Sequence, residues 1–514
     1  MLFNCAVGYN YLIYCPLFST SHSNVLANIA DTLTIAGHNV TVFTPVISKF
    51  YKGKLPVKYT KDIVSVDVTK EVDDAHTAHI NGPIGNMWTI SPESNRDIMI
   101  SFKSIVTKHC VDLGKDTKWK NNLRSRHFDV FLYEPISFCG QLVRKYLGIG
   151  TVIAAPTLPF DEPTLRAIGE PFSLSITPVV FSIYGDRMNL KERFLNAKQY
   201  FSSEELSVGH VSDEAFENFG IEKFDVVKAL EDVTFVFIQS NAYIDFPRAT
   251  LPKTVQIGGI ATNMTKIRSL TLSKEFDHLL EKRKKTVFIS FGSLVLTKDM
   301  PKSYKDNILA VIRSFPEVTF LWKYEDDDVS FADGINNVHF AKWFPQTALL
   351  ADARLSAMIT HAGLGSTMEI AHCGKPVITI PIFGDQMRNG KMLERHGGSI
   401  NLNKLDIPNY DLLRGAVRDI LYEERYADNA KFLAEVLENQ PFSPSELVVK
   451  HAELAARFKH IPQLESASAK LSIVEYYLLD IALIGFTLIV SSLTISYLIV
   501  RRIFSSVSLK DKKD

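Results

Sequence analysis

The chain has 514 residues, of which 46% are hydrophobic, so it is long enough for two or more domains with substantial cores. Lys plus Arg and Asp plus Glu both number 57, and this balance gives no indication of a nucleic-acid partner. The five cysteines are scattered and form no CxxC pair, which argues against a disulfide framework or a zinc site. Cys15 and Cys139 lie in apolar runs and are expected to be buried thiols.

The first half of the chain alternates strand-like apolar runs with segments of helical periodicity. An apolar run at 11–18 precedes a polar loop at 19–24, and apolar residues then recur at helical spacing up to Ala36. Further strands are predicted at 40–43, 130–133, 151–155 and 233–239. This order is typical of a doubly wound α/β fold, so we predict a Rossmann-like domain over residues 1–245.

A turn-rich segment separates this half from a second series of the same kind. Residues 246–265 contain Pro247, Pro252 and the pair Gly258-Gly259, which predict a linker. Strands are then predicted at 286–290, 319–323, 357–360 and 377–381, with helices between them. We therefore predict a second Rossmann-like domain over 266–440, and the cleft between two such domains is a favoured ligand site.

The end of the chain predicts a membrane anchor. Residues 481–500 carry no charge, and as a helix they would span about 30 Å, the thickness of a bilayer core. Arg501 and Arg502 follow, so the positive-inside rule predicts a cytosolic basic tail at 501–514. Helices at 441–475 would lead to a transmembrane helix at 476–500, with the bulk of the chain lumenal. A buried core helix is the alternative.

Three further features concern the location of the protein. Lys510 and Lys512 lie fifth and third from the end, which resembles the dilysine retrieval signal of endoplasmic reticulum membrane proteins. Asn263-Met264-Thr265 is a glycosylation sequon in the linker, and Asn39-Val40-Thr41 is a poorer one because it opens a predicted strand. Only ten residues precede the first predicted strand, too few for a normal signal peptide, so we expect a truncated start.

The chemistry-bearing residues of the second half are concentrated between 343 and 386. The stretch 360–366, THAGLGS, has the pattern of a strand end, a glycine loop and a helix start. Such a turn presents backbone N–H groups and the positive end of a helix to a diphosphate. A plain capping box of Ser366 with Glu369 is the alternative interpretation. The indole of Trp343 is suited to stacking on a flat heterocycle, and Asp385-Gln386 can accept from and donate to neighbouring hydroxyl groups.

Residues 343–386 together closely resemble the signature segment of the UDP-glycosyltransferases, specifically the animal UDP-glucuronosyltransferase family, and the resemblance extends along nearly the whole chain. It implies the GT-B glycosyltransferase arrangement, with an N-terminal acceptor domain and a C-terminal UDP-sugar domain. The implied donor is UDP-glucuronic acid or another UDP-hexose, and the implied acceptor is a small lipophilic molecule. The resemblance implies no metal and no cofactor, while the lipid bilayer and a second copy of the chain are the other expected partners.

The resemblance also assigns site residues by their positions in this sequence. The nucleotide-binding residues would be Ser293, Trp343, Gln346, His361, Gly363, Ser366 and Glu369. The donor-sugar residues would be Asp385 and Gln386, and the catalytic residues His22 and Glu134. Trp343 would stack on uracil, Glu369 would accept from the ribose hydroxyls, and the loop containing Ser293 would face the diphosphate.

His22 is the candidate general base, because imidazole is suited to removing the proton of an attacking hydroxyl at neutral pH. The family has an aspartate behind this histidine, whereas this chain has Glu134, and Gly365 stands where many members have asparagine. These two departures favour one alternative, a catalytically silent binding protein. A UDP-glucosyltransferase is a second alternative, because Asp385-Gln386 can hold the hydroxyls of either sugar. The acidic run 325–328 is interpreted as a solvated loop and not as a metal site.

Overall fold

The computed structural model describes residues 8–91, 96–206 and 211–510. The N-terminal domain is built on seven parallel strands: β1 Asn10–Tyr14, β2 Asn39–Pro45, β3 Asp62–Val66, β4 Val130–Tyr133, β5 Val152–Ala154, β6 Phe235–Ile238 and β7 Thr254–Gln256. Their order in the sheet is β3-β2-β1-β4-β5-β6-β7. Chain order therefore reverses between the neighbours β1 and β4, and such a switch point is where α/β domains bind ligands.

Within the described residues, the α-helices of the first half of the chain flank this sheet or pack on one another beside it. They are α1 Thr20–Ile35, α2 Lys70–His79, α3 Arg96–Lys115, α4 Thr117–Arg124, α5 Cys139–Leu147, α6 Glu162–Ala167, α7 Leu190–Leu206 and α8 Asp213–Phe219. The residues of β4, β5 and β6 are buried throughout, as are those of β1 after Asn10, as expected for parallel strands covered on both faces. The continuous apolar runs of the first half are thus central strands.

The C-terminal domain repeats this plan with six parallel strands. They are β8 Lys285–Ser290, β9 Val318–Lys323, β10 Val338–Ala341, β11 Leu355–Thr360, β12 Val377–Thr379 and β13 Ser399–Asn401, in the order β10-β9-β8-β11-β12-β13. Its helices are α9 Met264–Arg268, α10 Lys274–Glu281, α11 Lys302–Arg313, α12 Gln346–Ala351, α13 Leu364–Cys373, α14 Gln386–Arg395, α15 Tyr410–Tyr422 and α16 Glu424–Glu438. The predicted fold class, with two parallel sheets flanked by helices, is confirmed.

The chain crosses between the two domains twice. Strand β7 lies within the segment predicted as a linker, yet it pairs with β6 at the edge of the first sheet. After α16 the chain returns, and helix α17, Pro444–Phe458, packs against α1 of the N-terminal domain. Ser443 and Glu446 form a capping box at the start of α17, and small buried residues such as Ala452 and Ala455 allow its close approach.

Buried contacts also join the domains directly. The indole N–H of Trp88 donates to the carbonyl of Leu296 over 3.0 Å, and the Trp88 ring packs edge-on against Phe291. Lys404 is fully buried and donates to the carbonyls of Met87 and Ile382. Burial lowers the pKa of Lys404 to about 8. The segment of the N-terminal domain around Trp88 is therefore fixed against the loop that follows β8.

One disulfide corrects the expectation for the cysteines. Cys110 of α3 and Cys139 of α5 are bonded, with their Cα atoms 5.4 Å apart, so Cys139 is not a free thiol. Cys15 is free and buried, as expected.

Two helices close the chain, α18 Ile473–Tyr476 and α19 Leu479–Lys510. The stretch Leu479–Phe504 is long and apolar enough to cross a bilayer, and none of its hydrophobic window is buried in the protein. The predicted C-terminal apolar helix is thus confirmed, and the buried-core alternative is wrong.

Candidate active site

His22 and Glu134 meet at the switch point of the first sheet. Tyr14 at the end of β1 is in register with Tyr133 at the end of β4. The residues that follow the two strands therefore lie at the same, carboxyl edge of the sheet. His22 lies in the first turn of α1, and Glu134 directly follows β4. Their side chains are in contact, with Nδ1 of His22 2.6 Å from Oε1 of Glu134. The departure from aspartate to glutamate therefore does not separate the pair.

Thr157 is a third member of this group that sequence reasoning missed. Its hydroxyl lies 2.7 Å from Nδ1 of His22 and donates to Oε1 of Glu134. Thr157 comes shortly after β5, the strand next to β4, so its only signal was a position past the end of a neighbouring strand. With Nδ1 directed at the carboxylate, Nε2 of His22 is the nitrogen left to accept a proton.

The charges around His22 raise its pKa and so favour the protonated imidazolium. Burial disfavours the imidazolium, but the negative charge of Glu134, its hydrogen bond and the charge of Asp385 together raise the pKa of His22 above its usual value of 6.5. Burial raises the pKa of the Asp385 carboxyl, opposed by a hydrogen bond from Asn389 and by the charge of His22. The two groups face each other across the cleft from different domains.

His22, Glu134, Thr157 and Asp385 all line one cavity of about 230 Å³. Most of its wall is apolar and comes from the N-terminal domain, including Phe18, Ile84, Met99, Phe102, Ile136 and Phe181. The C-terminal domain supplies Leu294, Phe383, Gly384 and Asp385. The cavity is therefore suited to a lipophilic molecule held against a histidine–carboxylate pair.

Two more carboxyl groups line the cavity. Burial raises the pKa of Asp161 to about 6 and that of Glu162 to about 7. Oε1 of Glu162 accepts from the backbone N–H of Val180 over 2.6 Å, which fixes the loop at this wall. Sequence reasoning gave these residues no role.

The two residues predicted to bind the donor sugar, Asp385 and Gln386, differ in their surroundings: Asp385 faces the cavity, and Gln386 bonds to the backbone. Asp385 lines the cavity, and its Oδ2 accepts from Nδ2 of Asn389 over 2.8 Å. The carbonyl oxygen of Gln386 accepts from the backbone N–H groups of Ile382 and Phe383, over 2.9 and 3.1 Å, so it shapes the turn before α14. Only the amide nitrogen of Gln386 is then suited to a sugar hydroxyl.

His361 lies between two glycines at the switch point of the second sheet, where β8 and β11 are neighbours. A Cβ atom at Gly292 would lie 2.6 Å from the His361 ring, and one at Gly363 would also lie 2.6 Å from it. Gly292 in addition has a φ of +86°, which favours glycine. Burial, with the charge of Lys323, lowers the pKa of His361 to about 4, so the ring is neutral at physiological pH.

The loop after His361 is held in an uncommon conformation. Ala362 has a φ of 61°, a left-handed geometry that few residues with a Cβ adopt. Its carbonyl accepts from Nδ2 of Asn389 over 3.0 Å and from the hydroxyl of Thr367 over 3.3 Å. Helix α13 begins two residues later at Leu364, so its N-terminus is presented towards the cleft side of the strands. Strained backbone of this kind is common at ligand-binding loops.

Three of the remaining residues predicted to bind the nucleotide, Gln346, Ser366 and Glu369, form one hydrogen-bonded group. Nε2 of Gln346 donates to Oγ of Ser366 over 3.0 Å and to Oε2 of Glu369 over 2.7 Å. The hydroxyl of Thr347 donates to the other oxygen of Glu369 over 2.8 Å. The alternative interpretation, a capping box of Ser366 with Glu369, is wrong, because α13 begins at Leu364 with Gly363 as its N-cap. Trp343 beside it is 71% exposed, so it is not a core residue and its ring is free to stack.

Ser293 lies exposed in the loop after β8, next to Leu294 of the cavity wall. Nζ of Lys323 donates to the carbonyl of Gly292 over 2.7 Å and fixes the start of this loop. Glu325, the first of the acidic run, accepts from the backbone N–H of Thr297 over 2.7 Å and pairs with Lys323. That carboxylate therefore supports the loop.

The sequence pattern of the family described as UDP-glucoronosyl and UDP-glucosyl transferase matches residues 12–513. The chain belongs to this family. This UDP-glycosyltransferase is 27% identical over 506 residues to the putative UDP-glucuronosyltransferase ugt-50 of Caenorhabditis elegans, covering 97% of this chain and 94% of that protein. It is 28% identical over 480 residues to UDP-glucuronosyltransferase 1A9 of Mus musculus, covering 91% of this chain and 87% of that protein.

Solved structures share the fold of this UDP-glycosyltransferase at lower identity. A UDP-glucosyltransferase from Polygonum tinctorium, in complex with 3,4-dichloroaniline, has a TM-score of 0.59 and 15% identity, covering 88% of this chain and 99% of that one. Os79 from O. sativa, in complex with U2F and a trichothecene, has a TM-score of 0.58 and 16% identity, covering 87% and 100%. The GT-B arrangement predicted from the sequence is confirmed.

Proposed function

We propose that this UDP-glycosyltransferase moves a hexosyl group, with inversion at the anomeric carbon, from a UDP-sugar to a hydroxyl group of a small lipophilic acceptor. The observation that carries the proposal is that the His22–Glu134 pair and Asp385 line one largely apolar cavity from opposite domains. An acceptor in this cavity would lie against the base, and a donor sugar held at Asp385 would lie beyond it.

The proposed reaction needs one proton transfer and one displacement. Nε2 of His22 removes the acceptor proton as the oxygen attacks the anomeric carbon, and the bond from that carbon to the UDP oxygen breaks. Glu134 stabilises the imidazolium that forms, and Thr157 holds both groups in place. The N-terminus of α13 and the ring of His361 stabilise the departing diphosphate, so the proposal requires no metal or other cofactor.

In the proposed donor complex, the indole of Trp343 stacks on uracil and Gln346 contacts the nucleoside. Glu369 accepts from the ribose hydroxyls, which replace or share the bonds that Gln346 and Thr347 now make to its carboxylate. Ser293, Gly363 and Ser366 contact the phosphates, and Asp385 with the Gln386 amide holds the sugar hydroxyls. A carboxylate and an amide are suited to paired hydroxyl groups.

Glucuronic acid is the donor sugar that we propose first, since the relatives ugt-50 and 1A9 are named UDP-glucuronosyltransferases. Glucose is the second candidate. It is favoured by the carboxyl groups of Glu134 and Asp385 in the cavity wall, because an ionised carboxylate repels the carboxylate of a glucuronosyl donor.

The test is UDP release by the purified full-length enzyme with a phenolic acceptor, measured in parallel with UDP-glucuronic acid and UDP-glucose. We expect turnover with at least one donor, and His22→Ala should reduce it by about 10²–10⁴-fold while UDP binding is retained. Near-normal turnover of His22→Ala would show that His22 is not the base. UDP binding without turnover for any donor would favour the silent binding protein.

We also propose a single-pass protein of the endoplasmic reticulum membrane, with the catalytic part in the lumen and the tail in the cytosol. The apolar stretch of α19 and the basic residues after it support this topology. Asn263, exposed at the start of α9, would then be glycosylated. Protease treatment of intact microsomes should spare the catalytic part, and Asn263→Gln should remove an endoglycosidase-sensitive shift in mobility. Digestion of the catalytic part without detergent would reverse the topology.

A further inference from the structure

The acceptor cavity contains a second histidine, His79, at the end of α2. This residue is buried, and it lines the same cavity as His22. Its Nδ1 lies 3.1 Å from Oγ of Ser101 on α3. Its Nε2 has no hydrogen-bond partner in the described part of the chain, yet this nitrogen is not enclosed by protein atoms. Nε2 of His79 is therefore open to the cavity.

A line of aromatic rings connects the two histidines. The ring of His22 contacts the ring of Phe18, with centroids 4.7 Å apart, and Phe18 contacts Phe102 at 5.0 Å. Phe102 in turn contacts His79 at 5.9 Å. Phe18 and Phe102 both line the cavity. Because aromatic rings pack favourably on one another in tilted or offset contacts, this wall is suited to a flat aromatic ligand about two rings long.

The open nitrogen of His79 is suited to an uncharged polar group. Burial, with the charge of His76, lowers the pKa of His79 to about 4, so the ring is neutral at physiological pH. A neutral imidazole nitrogen donates or accepts according to the tautomer, and a hydroxyl group can do both. A carboxylate would find no cation on this ring, and its burial would be costly. An apolar group would leave Nε2 without a partner, which is also unfavourable.

We propose that Nε2 of His79 binds a second hydroxyl group of the acceptor, so that the preferred acceptor is a flat, two-ring molecule with a hydroxyl at each end. The inference rests on the reaction proposed above and names its acceptor class. One hydroxyl lies at His22 and reacts, while the other is held at His79. The rings of the acceptor pack between them against Phe18 and Phe102. His79 thus determines specificity and takes no part in the proton transfer.

Two acceptors that differ by one hydroxyl group test this proposal. They are 4,4′-dihydroxybiphenyl and 4-phenylphenol, which share one skeleton, and the quantity measured is the ratio of their KM values with the full-length enzyme. His79→Leu removes one net hydrogen bond to the diphenol only. It should therefore raise the KM of the diphenol relative to that of the monophenol by about three- to tenfold. The ratio cancels any general disturbance of the cavity, because such a disturbance affects both acceptors.

Two further variants distinguish recognition of the hydroxyl from packing. His79→Gln places an amide close to the position of Nε2 and should retain part of the preference for the diphenol. Met99→Leu changes an apolar side chain of the cavity wall and should move both KM values together. A ratio that is the same in the native enzyme and in His79→Leu would overturn the proposal, and so would an equal change of the ratio in Met99→Leu.

A binding measurement separates this inference from the proposed reaction. Calorimetric titration of each acceptor into the UDP-bound His22→Ala variant, with and without His79→Leu, gives the Kd values in the absence of turnover. A preference for the diphenol that depends on His79 would support the second-hydroxyl contact, even if no donor were turned over by the native enzyme. Turnover by the native enzyme with a Kd ratio that is indifferent to His79 would leave the reaction in place and show that the contact is wrong.

Discussion

The side-chain amide of Asn389 donates to the carboxylate of Asp385 over 2.8 Å. Asp385 is the N-cap of α14, and Asn389 lies one helical turn after it. The same Nδ2 donates to the carbonyl of Ala362, in the strained loop that precedes α13. One fully buried amide thus connects the carboxylate proposed to bind the donor sugar with the loop proposed to bind the diphosphate.

Asn389→Leu should weaken donor binding without removing any group that is proposed to touch the donor. The lost bond favours the ionised form of Asp385, so its carboxyl pKa should rise further and its orientation should loosen. A hydrogen bond to a charged group contributes about 1.5–3 kcal/mol, so the donor KM should rise roughly tenfold or more. Steady-state kinetics measures this, with Asn439→Leu at the exposed end of α16 as control. An unchanged donor KM would exclude the bridging role.

Glu134→Gln should change the pH dependence of the reaction. His22 must be neutral to accept a proton, and its pKa is raised, so the rate of the native enzyme should fall as the pH decreases through a value above 6.5. Without the anion, burial dominates and the pKa of His22 falls, so the acid limb of the kcat profile should move to lower pH.

The plateau rate of Glu134→Gln should also fall, because the imidazolium loses its stabilising charge, but by less than in His22→Ala. Thr157→Val keeps the carboxylate and should move the acid limb less. If the acid limb of Glu134→Gln stays where it is in the native enzyme, another group controls it.

Trp343→Ala should separate ligand binding from folding. Because the ring is largely exposed, the free energy of unfolding should change by less than about 0.5 kcal/mol. Stacking on a base contributes about 1–3 kcal/mol, so the Kd for UDP should rise roughly tenfold or more. Calorimetric titration and thermal unfolding measure the two quantities, and Trp343→Phe should recover most of the affinity. A large loss of stability with unchanged affinity would assign the ring to packing.

Gly365→Asn should strengthen donor binding. A Cβ atom at Gly365 meets nothing within 4 Å, so the position on α13 has room for a side chain beside the proposed phosphates. An added hydrogen bond to a charged group contributes about 1.5–3 kcal/mol, so the Kd for UDP should fall roughly tenfold or more. Gly365→Ala is the matched control, since it gains only helix propensity, about 1 kcal/mol of stability. Equal affinities for the two variants would mean that the asparagine amide makes no phosphate contact.

The sequence was sufficient for the central strands, which are continuous buried apolar runs. The pair of His22 with Glu134 was expected only from the family resemblance, and the structure gives its physical reason: β1 and β4 are parallel neighbours, so the residues that follow them lie at one edge of the sheet. The strands that it missed include β3 and β13. Strand β3 is largely exposed at a sheet edge and lacks the apolar run of a central strand, and β13 is a three-residue edge strand with a single apolar residue, Ile400.

The supporting contacts of the site could not be predicted in the same way. Thr157 reaches His22 only because β5 lies next to β4, and the pairing of Cys110 with Cys139 depends on how α3 packs against α5. Such contacts arise when elements that are distant in sequence pack together. The local pattern of residues in a single sequence does not reveal this packing.

The double crossing of the chain limits how the enzyme can open. One connection passes from β7 to α9, and the second returns from α16 to α17, whose neighbourhood is further fixed by the ion pair of Lys253 with Glu465. Two chain connections between the same two domains define an axis that passes through both connections. The domains should therefore open and close by rotation about that axis and not by free tumbling. Each closure would then return Asp385 to the same place opposite His22, so alignment of donor and acceptor would be a property of the connectivity as well as of the binding pockets.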